Sequence, residues 1–409
     1  MKKTIVLFSA VLFAFVLVFT LSSCSGDDSD TLYVYNWGEY ISDGSEDTLD
    51  VNKAFEEYYL ETYGKKITVN YSTFSSNEDM YAKISSGAVS YDVIFPSDYM
   101  IERLIKENLL AELNYDNIPN YSHIFDSFKG ENAFYDPQNK YTVPYAYGMV
   151  GIIYNTTLVD EADAAEQSWG LMWNEKYSGE ILQFNNSRDA FGTALYYLGY
   201  DVNDATEEQW KSAKDKLLEQ KPLVQAYVMD EIYNKMKGAS ASIASYYAGD
   251  YIMMYEDNND LEFYYPKEGT NYYVDAMCIP SSSKNKELAE RYINFMLSEE
   301  PAIANAEYTY YATPNDLVVN NEEYQEYMND IKENAIDLLY GQFDSVPTSA
   351  YRNLSSDRLA LINELWEELK IVSDVGTGIY IFGGIIAAAL IAVIVVMVVR
   401  KKKREKLAQ

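Results

Sequence analysis

The sequence predicts an α/β protein whose body divides into two parts, and three observations lead there. Between about residues 31 and 370, segments with the two-residue alternation of strands follow one another with segments at helical spacing, the pattern of a sheet covered by helices. The chain has 409 residues, enough for two domains and accessory segments. Two extended runs, Thr142-Val-Pro-Tyr-Ala-Tyr-Gly148 and Val150-Gly-Ile-Ile-Tyr154, meet near Gly148, where a crossover between the two parts would lie.

The body opens with a strand in which Tyr33 and Tyr35 take one face and Leu32 and Val34 the other. Asn36-Trp37-Gly38-Glu39 ends it with a ring, a residue that permits a tight turn, and a carboxylate. A ring beside an acid at a strand's carboxyl end suits a cationic, partly apolar ligand. The same residues also read as a packing Trp ahead of a surface Glu. Helical spacing follows over 50–63, a strand over 66–74, a helix over 78–86, and a short buried strand over 91–96 stopped by Pro96. Ser97-Asp98-Tyr99 then places a hydroxyl, an acid and a ring at the topological level of Trp37 and Glu39. A helix is predicted over 100–113, and a loop-rich stretch over 114–139 holds the single histidine, His123.

Beyond the crossover, 180–184 reads as a strand, and Asn185-Asn-Ser-Arg-Asp189 leads into a helix through Tyr200. Ser187 is placed to cap that helix, and Asp189 to favour its positively polarised N-terminus. Amphipathic helices are predicted over 207–219 and 230–237, after which 242–249 approaches a Gly turn behind paired rings. Strands over 261–266 and 272–279 follow. In the second, Asp275 interrupts an apolar run, and a buried acid is costly unless it meets a cation or donors. Helices over 286–297, 301–307 and 356–370 complete the body, with no internal repeat in the sequence.

Both ends carry targeting signals. Met1-Lys-Lys and the apolar run over 5–21 form a secretory signal, and its closing Leu-Ser-Ser-Cys24 resembles the bacterial lipobox, which implies cleavage before Cys24 and lipid attachment to its thiol. Residues 24–30 would be a linker. The uncharged stretch 379–399 is long enough as a helix to cross a bilayer, and the basic tail, 400–409, would lie in the cytoplasm. The expectation is an extracytoplasmic body anchored to the membrane at both ends.

The formal net charge is −31, so the surface repels nucleic acid and attracts cations. Forty tyrosines supply flat apolar faces with polar tips. With two cysteines, of which Cys278 lies in an apolar run, no disulfide is expected. One histidine, no Gly-x-Ser-x-Gly and no phosphate loop leave nothing to assemble a nucleophile or metal centre, so no enzyme, metal or cofactor is expected.

Five motifs in order, Tyr35-Asn-Trp-Gly-Glu-Tyr40, Tyr71-Ser-Thr-Phe74 with Ser76-Asn-Glu-Asp-Met-Tyr-Ala-Lys83, Tyr91-Asp-Val-Ile-Phe-Pro-Ser97, Tyr273-Val-Asp-Ala-Met-Cys-Ile-Pro280 and Ala312-Thr-Pro-Asn315, resemble those of the spermidine/putrescine-binding proteins of bacterial ABC importers. The resemblance spans about residues 31–370. It implies a two-lobed type II periplasmic-binding-protein fold with a hinge, residues 31–147 and 273–316 forming one lobe and 148–272 and 317–373 the other, closing on a polyamine. It also implies a monomer that delivers putrescine or spermidine to ABC permease subunits. Another small cationic solute, or an adhesin built on the same fold, are the alternatives. In that family aromatic rings sandwich the methylene chain and carboxylates take the ammonium groups. By matching motif, Trp37 and Tyr40 form one wall with Ser97 and Tyr99 beside them, Tyr247 and Tyr273 stand where the family usually has Trp, and Asp275 and Asp189 match acids that grip amines. Glu39 and Asp98 would contact the ligand or solvate the rim. Asn186 falls where spermidine binders often have Asp, and Arg352 replaces a neutral amide. These departures point toward a shorter polyamine or a different cation.

Overall fold

The computed structural model describes residues 30–371. Ten strands carry the fold: β1 (Thr31–Trp37), β2 (Thr68–Phe74), β3 (Val93–Ile94), β4 (Thr142–Asn155), β5 (Ile181–Phe184), β6 (Val224–Val228), β7 (Ile243–Tyr247), β8 (Leu261–Tyr264), β9 (Thr270–Cys278) and β10 (Thr348–Ala350). They follow one path, β2-β1-β3-β9-β4-β7-β5-β6, with β10 on β9 and β8 on β4. In the first lobe β1 is parallel to β2 and β3, and β9 is antiparallel to β3 and β4. The second lobe repeats the plan: β5 is parallel to β6 and β7, and β4 is antiparallel to β7 and β8. Thus β4 closes one sheet and is the inserted antiparallel strand of the other. The topology repeats where the sequence does not.

The longer helices are α1 (Val51–Tyr63), α2 (Asn77–Ser86), α3 (Asp98–Lys106), α4 (Ser187–Tyr197), α5 (Glu207–Gln220), α6 (Ile232–Lys237), α7 (Ala248–Asp257), α8 (Lys286–Met296), α9 (Glu299–Thr309), α10 (Glu322–Ile331) and α11 (Ser356–Ile371). Their starts are chemically specified. The Asp50 carboxylate accepts the Lys53 N–H at 3.0 Å, Ser76 Oγ accepts the Asp79 N–H at 3.1 Å, and Thr206 with Gln209 completes a reciprocal cap on α5. Leu32, Val34, Phe55, Phe95 and Tyr292 are buried in the first lobe; Trp169, Phe191, Trp210, Leu217 and Tyr251 are buried in the second.

Several elements differ from the sequence-based expectation. The two runs around Gly148 form one continuous 14-residue strand, β4. Gly148 does not break it; it leaves room for the Tyr273 ring, whose hydroxyl would lie 2.7 Å from any Cβ there. The irregularity falls instead between Pro144 and Ala146, a bulge that re-aims Tyr145 so that its hydroxyl donates to the Tyr40 carbonyl at 2.9 Å. The helix predicted over 100–113 stops at Lys106, because Asn108 takes the left-handed conformation and the Leu109 N–H returns to the Leu104 carbonyl. Asn186, and not Ser187, caps α4. Strands β6 and β10 and helices α7 and α10 were not anticipated. The fold is also corrected in one larger respect. Among the described residues no helix is long and apolar enough to cross a membrane, so their fold contains no transmembrane helix. The stretch 379–399, like Cys24 and the signal over 1–23, lies outside the described residues.

Gly151 allows β8 to approach β4: a Cβ there would stand 2.2 Å from Phe263 Cζ and 2.6 Å from the Tyr264 carbonyl oxygen. Backbone cannot yield as a side-chain tip can. Gly151→Ala is therefore expected to destabilise the protein by about 2 kcal/mol, read as a lowered midpoint in calorimetric unfolding.

Candidate functional site

The carboxyl ends of β1, β3, β5 and β7 and the middle of β9 converge on a cavity between the lobes. Trp37 ends β1; its Nε1 donates to the Phe95 carbonyl at 2.9 Å and its ring packs on Phe74 with centroids 4.5 Å apart. It is both a packing residue and a cavity wall. Glu39 follows with φ of +48°, an uncommon conformation for a non-glycine residue, and its carboxyl is raised above its ordinary value by partial burial and by Asp230 across the cleft. The lobes touch at this point, since a Cβ on Gly38 would lie 2.5 Å from Asp230 Oδ2.

Asp275 is the best-defined acid of the cavity. It is 5% exposed; Oδ2 accepts from the Tyr40 hydroxyl at 2.7 Å, while Oδ1 is buried without a hydrogen-bond partner. Burial pushes it up to about 6 against the nearby Ser97 and Tyr40 hydroxyls, which favour the ionised form. Ser97 is fixed by Asn77, exchanging Nδ2–H···Oγ at 3.0 Å and N–H···Oδ1 at 3.1 Å. Asp98 lines the cavity but is committed to the backbone: its oxygens accept the N–H groups of Tyr99 at 2.7 Å and Val274 at 3.3 Å, and burial raises it well above the carboxylate range. Tyr99 donates to Glu78 at 3.0 Å.

On the facing lobe, Asn186 Oδ1 accepts the Asp189 N–H at 2.8 Å and its Nδ2 donates to Asp189 Oδ2 at 2.8 Å, while the Tyr247 hydroxyl reaches the same oxygen at 2.7 Å. Burial raises Asp189, and these donors oppose the shift. Tyr247, Tyr273, Tyr311 and Tyr40 form a chain of edge-on rings with centroids 5.2, 6.5 and 4.9 Å apart.

Eleven of the twelve residues chosen from the sequence line this cavity; Arg352 does not. Its guanidinium pairs instead with Glu102, Nη2 to Oε1 at 2.6 Å. Sequence reasoning also passed over Asp250, Arg188 and Glu78. Asp250 is 2% exposed, accepts from the Tyr233 and Tyr311 hydroxyls, and is pushed up to about 7 by burial. Its signal was present in the sequence: an acid three residues past the paired rings Tyr246-Tyr247. Arg188, 4% exposed, faces the rings of Tyr351 and Tyr99 at 4.6 and 5.2 Å, and neither terminal nitrogen has a hydrogen-bond partner. Among the described residues no cluster of His, Cys, Asp and Glu could hold a metal ion.

Acids buried beneath aromatic walls, in a cleft between lobes of matching topology, define the class: a two-lobed solute-binding protein. The chain belongs to the bacterial extracellular solute-binding protein family, whose sequence profile matches residues 89–338. It is 30% identical over 363 residues to the spermidine/putrescine-binding periplasmic protein of Escherichia coli, an alignment covering 88% of this chain and 97% of that one. It is 29% identical over 360 residues to the putrescine/cadaverine-binding protein of Pseudomonas aeruginosa, covering 84% and 94%. A solved structure described as a spermidine/putrescine ABC transporter from Listeria monocytogenes superposes with a TM-score of 0.74 at 35% identity, covering 84% of this chain and 99% of that one. This is a family of solute-binding proteins and not of enzymes.

The raised acids have a consequence for pH. A carboxyl whose folded pKa exceeds its ordinary 3.8 holds its proton more tightly folded than unfolded. The resulting stability is complete below about pH 4 and is lost as pH rises through about 6 for Asp275 and about 7 for Asp250. A cationic ligand needs the ionised forms, so its affinity should rise over the same window, by about tenfold per pH unit for each proton displaced. Melting curves from pH 4.5 to 8 should show the ligand-free protein weakening while the stabilisation by a cation bound in the cleft grows.

Proposed function

We propose that the protein captures a polyamine in this cleft outside the membrane and delivers it to an ABC permease. Asp275 carries the reading: a buried carboxylate facing the cavity, steadied by the Tyr40 hydroxyl, with one oxygen left for an incoming donor. In our assignment Asp275 takes one ammonium group, Asp189 and Asp250 offer positions for another, and Trp37, Tyr40, Tyr247 and Tyr273 cover the methylene chain. Ser97 and Tyr99 shape one side of the cleft, and Asn186 orients Asp189. Glu39 adds to the negative field at the mouth, while Asp98, accepting from the Tyr99 and Val274 N–H groups, serves a structural part. The lobes would hinge where β4 and β9 run between the sheets, near residues 147–148 and 272–273, and where the chain crosses once more near residues 316–317.

Calorimetric titration with putrescine, cadaverine and spermidine tests this assignment, with saturable binding of at least one expected. Asp275→Asn should weaken that binding by about 10- to 150-fold, the worth of a hydrogen bond to a charged group. Unchanged affinity would assign Asp275 a purely structural part.

One observation favours a second reading. The buried Arg188 nitrogens lack acceptors, which would suit an amine that also carries a carbonyl or carboxylate oxygen. Tighter binding of N-acetylputrescine than of putrescine in the same titration would support it.

We assign Cys24 as the lipid-anchored residue of a monomeric extracytoplasmic receptor. Cells fed labelled palmitate should incorporate label into the wild-type chain and not into Cys24→Ala.

A further inference from the structure

Arg352 lies outside the cavity, yet it joins the two sides of the cleft. Its Nε donates to both Glu102 oxygens at 3.1 Å, its Nη2 to Oε1 at 2.6 Å, and the Asn353 N–H to Oε2 at 2.8 Å. Glu102 stands on α3 in the first lobe. The segment that bears Arg352 is tied to the second: the Arg352 N–H donates to Asn203 Oδ1 at 2.9 Å, Asn203 Nδ2 to the Ala350 carbonyl at 2.9 Å, and the Tyr351 and Tyr196 hydroxyls to the carbonyls of Arg188 and Ser349 at 3.3 Å. The guanidinium also covers the ring of Phe134 in the first lobe, at 4.6 Å from its centroid.

We infer that Arg352 and Glu102 form a clasp that exists only when the cleft is closed and that sets ligand affinity through closure, without touching the ligand. The inference rests on the reading of the cleft as the solute site. Geometry supports the clasp. Arg352 offers its planar fork to one carboxylate, and a backbone N–H takes the remaining direction, so the contact is directional and bidentate rather than a loose surface pair. The Glu102 side chain is 18% exposed and that of Arg352 50%, so water screens the pair only in part. Separation of the lobes would carry Glu102 away with α3 while Asn203 retains the Arg352 segment. Whatever free energy the pair contributes therefore belongs to the closed state alone. Ligand also favours that state, so the clasp and the ligand assist one another by the same factor.

The test is a double-mutant cycle on the full-length protein, with putrescine and spermidine as titrants. Arg352→Gln and Glu102→Gln should each weaken binding about tenfold, chiefly through faster release. The double variant should be no worse than either single one, and the exchanged pair Glu102→Arg with Arg352→Glu should regain affinity. Unchanged affinity in the single variants, or losses that add in the double variant, would overturn the clasp. A second measurement does not depend on which solute binds. Spin labels at exposed Glu61 and Glu208, one on each lobe, should report a larger open population in ligand-free Arg352→Gln than in wild type. Identical distance distributions would overturn the clasp even if neither amine binds, an outcome that would separately remove the polyamine assignment.

Discussion

The antiparallel pairing of β4 with β9 is the constraint on which the cleft depends. Registered from Thr142 opposite Cys278 to Met149 opposite Tyr272, it brings the two sheets together and fixes which side chains of β9 face the gap. Asp275 pairs with Ala146 in that register and meets Ser97 across an isolated bridge at the end of β3. Tyr273 pairs with Gly148, the one position on β4 that leaves its ring space. A slip of one residue would turn Asp275 and Tyr273 away from the cleft and present Val274 and Ala276 instead. The acid and the aromatic floor are consequently properties of strand register before they are properties of side chains.

The tyrosines solve a problem this register creates. Carboxylates brought out of water need donors, but a permanent cation at each one would compete with a cationic ligand. A phenol donates one hydrogen bond, carries no charge, and presents an apolar face a few ångströms away. The pattern recurs through the cavity: Tyr40 on Asp275, Tyr247 on Asp189, Tyr99 on Glu78, and both Tyr233 and Tyr311 on Asp250. Each phenol only partly offsets desolvation, which is why burial still leads the upward shift of every one of these acids. A site left under-compensated in this way has most to gain from an ammonium group.

The parts of the fold that were legible in the sequence are those written in local pattern. The end of β1, the short buried β3 and the acid inside β9 each show as an alternating or apolar run broken by one chemically distinct residue. Trp37, Glu39, Ser97, Asp98, Tyr99 and Asp275, read from that pattern, all line the cavity, while Tyr40, Asn186, Asp189, Tyr247 and Tyr273 came in through the family resemblance. What escaped depends on distance along the chain. Helix α7 begins directly after β7 with no intervening loop, so Gly249 read as a turn and Asp250 was passed over. Arg188 sits in a capping segment where Asp189 drew the attention, and its ring partners Tyr99 and Tyr351 come from distant parts of the chain. Arg352 entered the site by the family resemblance, as the residue replacing a neutral amide, but its partner Glu102 lies 250 residues earlier and draws it to the rim.

Charge at the cavity and charge at the rim answer to different physics. Asp275 and Asp250 are buried, so their energies depend on whether a donor of the right shape arrives, and in the proposed site they would discriminate among solutes. Glu102 and Arg352 are partly solvated and meet each other, so their contribution is indifferent to the solute and weakens as salt is raised. Two sites arranged this way can be changed separately. An exchange such as Asn for Asp at 186 would then alter which amine fits, whereas a stronger or weaker rim contact would shift affinity for every ligand alike. On the proposed assignment, selectivity would belong to the buried acids with their phenols, and overall affinity would be shared with a contact outside the cavity.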